Sequence, residues 1–459
     1  MSKQQISQFD KMTKTPIPKL IIMLSIPTII SMLVSNIYNM VDTKFVGKLG
    51  TSASGAVGIV FGYMAILQAI GFLFGQGSGS IMSRQLGKQD TERASRTAST
   101  GFFYSFICSL IIGIISIFIL DDLIMFLGST KTIAPYAKTY ITFIIAAAPF
   151  VSSSFTLNNL LRYEGKAVFG MAGMMTGAIL NIGGDYLFMF KLNMGIAGAG
   201  LSTAISQVIG FIILLTAFLR HKTQCTLSLR YVYFDIKPIA NIMATGFPSL
   251  LRQALNSIST IILNTEARVY GDSAVAAMSI VSRVGFFVFA VAIGIGQGFQ
   301  PVSAFNYGAG KYDRVRKAFF TTMALAEATI IAFSLAVFFN ASDIVWRFRE
   351  DMDVVRVGTR ALKLYVLAQL TLPPSMSCEM LYQSTGRKLG ASLMSAMRNG
   401  IFFIPALLIL SHVRGLAGIQ EAQPLAFVIA LPFSIMFAII YFKKYGEKAQ
   451  AERAERALR

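Results

Sequence analysis

The sequence predicts an all-α polytopic membrane protein, with twelve transmembrane helices in two six-helix bundles related by a pseudo-two-fold axis along the membrane normal. Three observations lead there. Of 459 residues, 54% are hydrophobic and only 14% charged, whereas a soluble protein carries roughly 25% charged residues; too little polar surface is left to cover a soluble core. Apolar runs of about 20 residues, the length an α-helix needs to cross the hydrocarbon, recur along the whole chain. The second half repeats the first at an offset of 221 residues. Composition alone excludes a soluble globular enzyme, a disordered chain and a nucleic-acid-binding protein.

The runs lie near 19–42, 53–79, 97–120, 136–160, 167–190, 195–219, 239–264, 274–302, 317–340, 356–381, 391–411 and 418–442. In lipid the backbone must satisfy its own N–H and C=O groups, which leaves helices or closed barrels. A continuous run such as Ile107 to Leu120 lacks the alternation of a barrel strand. Met1 to Lys19 is polar and lysine-rich, and the run after it exceeds a signal-peptide core, so the first span is expected to be retained.

Orientation follows from the basic residues. Of 41 Lys and Arg, 26 fall in the N-terminal segment, the C-terminal tail and alternate loops, the last holding Arg84 to Arg96, Arg162 and Lys166, Arg220 to Lys237, Lys311 to Lys317, and Arg387 and Lys388. The opposite loops and helix ends hold twelve. The positive-inside rule then puts both termini in the cytoplasm. The net charge of +19 therefore sets topology. The expected segments are a cytoplasmic N-terminus (1–18), a first bundle (19–219), a cytoplasmic linker (220–238), a second bundle (239–442) and a tail (443–459). Cys108, Cys225 and Cys378 fall in two spans and one loop, so no disulfide framework is indicated.

The repeat pairs Pro27 with Pro248, Gly50 with Gly271, Ala53 and Ala56 with Ala274 and Ala277, and Gly75-Gln76-Gly77 with Gly296-Gln297-Gly298. Each unit contains an even number of spans, so both insert with the same orientation, and two rocking bundles around a central cleft describe a transporter better than a receptor or membrane enzyme. The stretch Gly75 to Gly79 follows no strand and lacks a phosphate-binding lysine; close helix packing is expected there. Prolines at 27, 149, 248, 373, 374, 405 and 432 permit kinks.

An Asp at a helix centre costs about 2.5–3.5 kcal/mol, so intramembrane charges are site candidates. Asp42 lies about 35 Å along the first helix and Asp185 about 9 Å from the outer end of the fifth. Asn181 shares the helical face of Asp185, and Thr203 lies about 13 Å down the sixth helix, so four oxygen-bearing side chains can converge in the outer half of the first bundle. Burial and a neighbouring carboxylate both penalise the charged form, which suits such a pair to carrying protons. The blander reading makes Asp42 an exposed helix-end residue. In the second half Asp42 falls opposite Leu263 or Asn264, and Arg252, Arg283 and Arg398 lie in mid-membrane with Glu379. Arg398 and Glu379 are expected at comparable depth, as a pair. His221 and His412 are isolated, so neither a metal site nor a cofactor is proposed.

The stretches SIPTIISMLVSNIYNMVDTKFVG (Ser25 to Gly47), LNIGGD (Leu180 to Asp185), GFPSLLRQ (Gly246 to Gln253), AAMSIVSR (Ala276 to Arg283), GQGFQP (Gly296 to Pro301), FNYGA (Phe305 to Ala309) and RNGIFFIP (Arg398 to Pro405) resemble the multidrug and toxic compound extrusion (MATE) transporters. The likeness spans nearly the whole chain and is nearest to the bacterial MepA-like and DinF-type branch. It implies efflux of cationic amphipathic compounds driven by inward H+ or Na+, not an enzyme activity. It implies a coupling-ion site at Asp42, Asn181, Asp185 and Thr203, with Na+ there if any metal is bound. Tyr38, Tyr140 and Asn158 match cavity-lining positions of relatives. Asn256 stands where some sodium-linked members carry a helix-7 glutamate, so a second-bundle sodium site is not implied; Asn256 joins Arg252, Glu379 and Arg398 as candidate substrate-cavity residues. The alternative is a flippase for a lipid-linked saccharide or peptidoglycan precursor, with the mid-membrane arginines on phosphate. Expected partners are the lipid bilayer and small organic cations, with no nucleic acid. The chain is expected to be a monomer in a bacterial cytoplasmic membrane.

Overall fold

The computed structural model describes residues 3–457, with side chains for all of these but 3–7, 36 and 445–457. Met1, Ser2, Leu458 and Arg459, the ends of the two predicted terminal segments, lie outside the described residues. The first half runs α1 (Lys3–Lys14), α2 (Ile17–Gly47), α3 (Thr51–Gly87), α4 (Thr91–Phe118), α5 (Leu120–Phe126), α6 (Ala134–Tyr163), α7 (Ala167–Asp185), continued by a π-helical turn (Tyr186–Lys191), and α8 (Gly195–Leu219). The second runs α9 (Ile236–Arg268), α10 (Asp272–Gly308), α11 (Tyr312–Phe339), α12 (Ala341–Phe348), α13 (Met352–Ala368), α14 (Leu372–Ser384), α15 (Lys388–Ala396), a π turn (Met397–Ile401), α16 (Phe403–Arg414) and α17 (Leu416–Ala457). Every predicted span is matched by a helical pass.

Why these helices belong in lipid is plain in α4. Its buried face carries Ser105, Ser109, Gly113 and Ser116, while Ile107, Leu110, Ile111, Ile114, Ile115 and Ile117 are exposed. A soluble helix does the reverse; small and hydroxylated residues at the packed face are the membrane pattern. Ser109 and Ser116 spend their hydroxyls on the carbonyls of Ser105 and Ile112, at 2.6 and 2.7 Å. Among the described residues, ten stretches are long and apolar enough to cross a membrane. The two passes outside that set are α9, which carries Arg252 and Glu266, and the pass made of α13 and α14, which a 3₁₀ turn at Gln369–Thr371 divides into pieces of 17 and 13 residues. Pro373 and Pro374 cause that division, since neither has an N–H for the ladder.

Packing separates two units: Met1–Met12 with Ile26–Leu250, and Thr13–Ser25 with Leu251–Arg459. This differs from the predicted bundles 19–219 and 239–442, because the divisions fall inside α2 and α9, next to Pro27 and Pro248, and not in the linker. In the first unit α6 is central, packed on α3, α4, α7 and α8, with Tyr63, Leu67, Tyr140, Ile141 and Ile144 in its core. In the second, α10 packs on α11, α13 and α14, and α17 on α13, α14 and α16, around Val281, Val345, Leu362, Phe403 and Leu407.

Glycines explain the placement of the helix starts. In the first unit Ile242 of α9 packs with Ile70, Leu73 and Phe74 of α3. A Cβ on Gly77 would stand 2.1 Å from the Ile242 carbonyl oxygen, and one on Gly246 only 1.7 Å from that of Leu73. In the second unit Ser25 of α2 donates to the Ile295 carbonyl at 3.3 Å, and a Cβ on Gly298 would lie 2.8 Å from the Ser25 nitrogen. The repeated Gly-Gln-Gly thus serves close backbone approach in both halves.

Candidate functional site

In the first unit, side chains from four helices meet. Asp42 is on the last turns of α2, Tyr140 near the start of α6, Asn181 and Asp185 one turn apart on α7, and Ser202 and Thr203 on α8; all are buried. The Tyr140 hydroxyl donates to Asp42 Oδ2 at 3.2 Å and lies 3.4 Å from Thr203 Oγ1. Asn181 Nδ2 donates to Thr203 Oγ1 at 3.1 Å and to Asp185 Oδ1 at 3.4 Å. The two carboxylates are in electrostatic range of each other. Asp42 Oδ1, Asp185 Oδ2 and Asn181 Oδ1 are buried without a hydrogen-bond partner. The exposed helix-end reading of Asp42 therefore fails.

The local backbone supports this geometry. A π turn begins immediately after Asp185, and such turns re-aim side chains and recur at functional sites. Ser202 Oγ donates to the Asn181 carbonyl at 3.0 Å, holding α7 to α8 where the ladder changes. Sequence reasoning missed Ser202; its signal was adjacency to Thr203.

The other predicted residues divide. Tyr38, one turn before Asp42, accepts from Gln207 Nε2 at 3.4 Å. Asn158 is not brought to this site: it lies 18 residues from Tyr140 on α6, roughly 27 Å along the helix, beside Gly170.

The second unit holds a separate polar cluster. Glu379 does not pair with Arg398 as expected; Arg252 Nη1 donates to its Oε1, which also accepts from Ser395 Oγ at 2.7 Å. The distance along a helix gave these residues their depth but not the direction they face. Arg398 instead sits over the Phe289 ring, Cζ 5.2 Å from the centroid. It belongs to the π turn Met397–Ile401, where the Asn399 carbonyl accepts from Ser259 Oγ and Asn399 Nδ2 reaches Asn256 Oδ1 at 3.5 Å. Arg283 is exposed, so two of the three arginines expected in mid-membrane are buried.

Outside the spans, Glu164 is fully buried in the turn between α6 and α7. Its Oε1 accepts from the Gln224 backbone N–H and lies 3.5 Å from Lys166 Nζ, while its carbonyl accepts from Gln8 Nε2 at 2.7 Å. Burial pushes its carboxyl up to about 7.

A family model described as MatE matches residues 27–187 and 248–409. The chain is similar to the multidrug export protein MepA of Staphylococcus saprophyticus, 28% identical over 422 residues covering 91% of this chain and 92% of that one. It is likewise similar to the MepA of Staphylococcus aureus, 27% identical over 420 residues with the same coverage. Among solved structures, MATE in the bent conformation superposes with a TM-score of 0.90 at 23% identity over 98% of this chain and 100% of that one. MATE in complex with MaL6 gives 0.88 at 24% identity over 97% and 100%.

Proposed function

The chain belongs to the MatE family, and from that premise we propose that it is a secondary active multidrug efflux antiporter. It exports cationic amphipathic organic compounds in exchange for H+ or Na+ by alternating access. It works as a monomer in a bacterial cytoplasmic membrane, with both termini inside.

The observation that carries this reading is the trio of orphaned oxygens on Asp42, Asp185 and Asn181. A buried polar atom without a partner costs about 1–3 kcal/mol, and more when charged. Two neighbouring carboxylates away from water favour a shared proton or a metal cation over two uncompensated charges. Thr203 and Tyr140 add neutral oxygens beside the pair. Open to the outside, the pair takes up the coupling ion, and the counter-charge offered to a cationic substrate disappears. Open to the inside, it releases the ion and regains that charge. Linkage then requires that substrate weaken ion binding by the factor by which the ion weakens substrate binding.

The test is transport into proteoliposomes with pH and sodium gradients imposed separately, which also identifies the ion. Asp42→Asn and Asp185→Asn are each expected to lower gradient-driven export by about tenfold or more, a barrier change of roughly 1.4 kcal/mol, in protein that still melts cooperatively. Undiminished export by both variants overturns the site.

A further inference from the structure

The second unit carries a charge that the ion site leaves unused. Arg252, Glu379 and Arg398 are all buried, two guanidiniums to one carboxylate. Glu379 holds Arg252 and Ser395 through its Oε1, and lies in electrostatic range of Arg398 without a hydrogen bond to it. Arg398, only 4% exposed, has the face of Phe289 against it, and none of the described residues accepts a hydrogen bond from it. A cation over a ring gains about 0.5–2 kcal/mol, whereas desolvating an ion costs several. Five fork-shaped N–H donors remain to be met.

The surroundings are built to present that group. Arg398 stands on a π turn, and Ser259 and Asn256 of α9 hold the next residue, Asn399, by its carbonyl and its amide. The geometry points to Arg398, with Arg252 held beside it by Glu379, as the receptor for an anionic group, a carboxylate, on the amphipathic compounds that the protein exports. This rests on the export reading above. A planar guanidinium matches a carboxylate with two parallel hydrogen bonds, and one added negative charge balances the cluster. A purely cationic compound would have to displace Arg252 from Glu379 to gain anything here. A substrate that engages this cluster therefore carries an anionic group beside its cationic one.

The test compares two probes: a fluorescent xanthene dye with a free carboxylate, and the methyl ester of the same dye. Binding to the full-length protein in nanodiscs of zwitterionic lipid is read by fluorescence anisotropy without any gradient. Failure of antiport would thus refute the export reading while leaving this result standing. The unaltered protein is expected to favour the free acid by roughly tenfold or more, the worth of a charge-assisted hydrogen bond. Arg398→Gln is expected to bring the acid-to-ester ratio close to one, and Arg398→Lys, which keeps the charge and loses the fork, to leave it in between. Equal binding of the two dyes by the unaltered protein, or a ratio that survives Arg398→Gln, overturns the proposal. So does displacement of the acid dye by phosphatidylglycerol in the nanodisc, which would assign the anion to a lipid headgroup; persistence of binding supports an anion on the exported compound.

Discussion

Glu164 is a carboxylate enclosed by protein, and its surroundings decide how the loop after α8 holds on. The Gln224 amide donates to it, Lys166 lies 3.5 Å away, and the buried Cys225 thiol is in electrostatic range. Burial outweighs these favourable contacts and raises the carboxyl from 4.5 to about 7. Between those values the folded chain keeps the proton and the unfolded chain has lost it, so stability falls as pH rises through the window. Glu164→Gln keeps an acceptor for Gln224 and removes the titration. Its melting temperature is expected to rise above that of the unaltered chain by an amount that grows from about pH 4.5 and levels off above about pH 7; a constant difference refutes it. Glu164 was not legible in the sequence, where it stands between Arg162 and Lys166 as one more loop charge. Asp42 and Asp185 were legible because a carboxylate in an apolar run is rare and expensive. Partner choice was not: Arg252, Arg283 and Arg398 looked alike by depth, and only the direction each faces separates the ion pair, the exposed residue and the ring-stacked guanidinium.

Among elements, apolar run length gave the passes, because a membrane imposes its thickness on each of them. The π turns after Asp185 and at Met397 had no counterpart in any pattern of residue types. The repeated glycines did carry a legible signal, close packing, but not the identity of the neighbour. That neighbour is the start of α9 for Gly77 and the start of α2 for Gly298. At Gly77 and Gly246 the obstacle is a backbone carbonyl, which does not rotate out of the way. Gly77→Ala and Gly246→Ala are therefore expected to destabilise by at least about 1–3 kcal/mol, the usual cost of overpacking. Gly58, inside α3 with nothing within 4 Å of its Cβ position, gives the control: Gly58→Ala is expected to be neutral or stabilising by up to about 1 kcal/mol through helix propensity. Thermal melts in detergent check the contrast, and equal behaviour of the three variants would remove the role given to close approach.

For the molecule as a whole, the net charge of +19 is a matter of distribution. Exposed basic residues on a soluble surface attract polyanions, but a membrane sorts them between its faces, and short loops rich in Lys and Arg stay inside. The topology expected from the sequence gives one face 26 basic residues and the other twelve, an asymmetry spread over both halves, so no single loop decides it. Four exposed positions sample the assignment: Lys88 and Leu389 on the basic face, Lys131 and Glu350 on the other. Each is changed to cysteine in a chain whose Cys108, Cys225 and Cys378 are replaced by alanine. In intact cells a membrane-impermeant maleimide is expected to label Lys131→Cys and Glu350→Cys, and to reach Lys88→Cys and Leu389→Cys only after permeabilisation. The inverse pattern would place the termini outside. A pattern that differs between the halves would overturn the parallel repeat, since two units of six passes can share one orientation only if both obey the same sidedness.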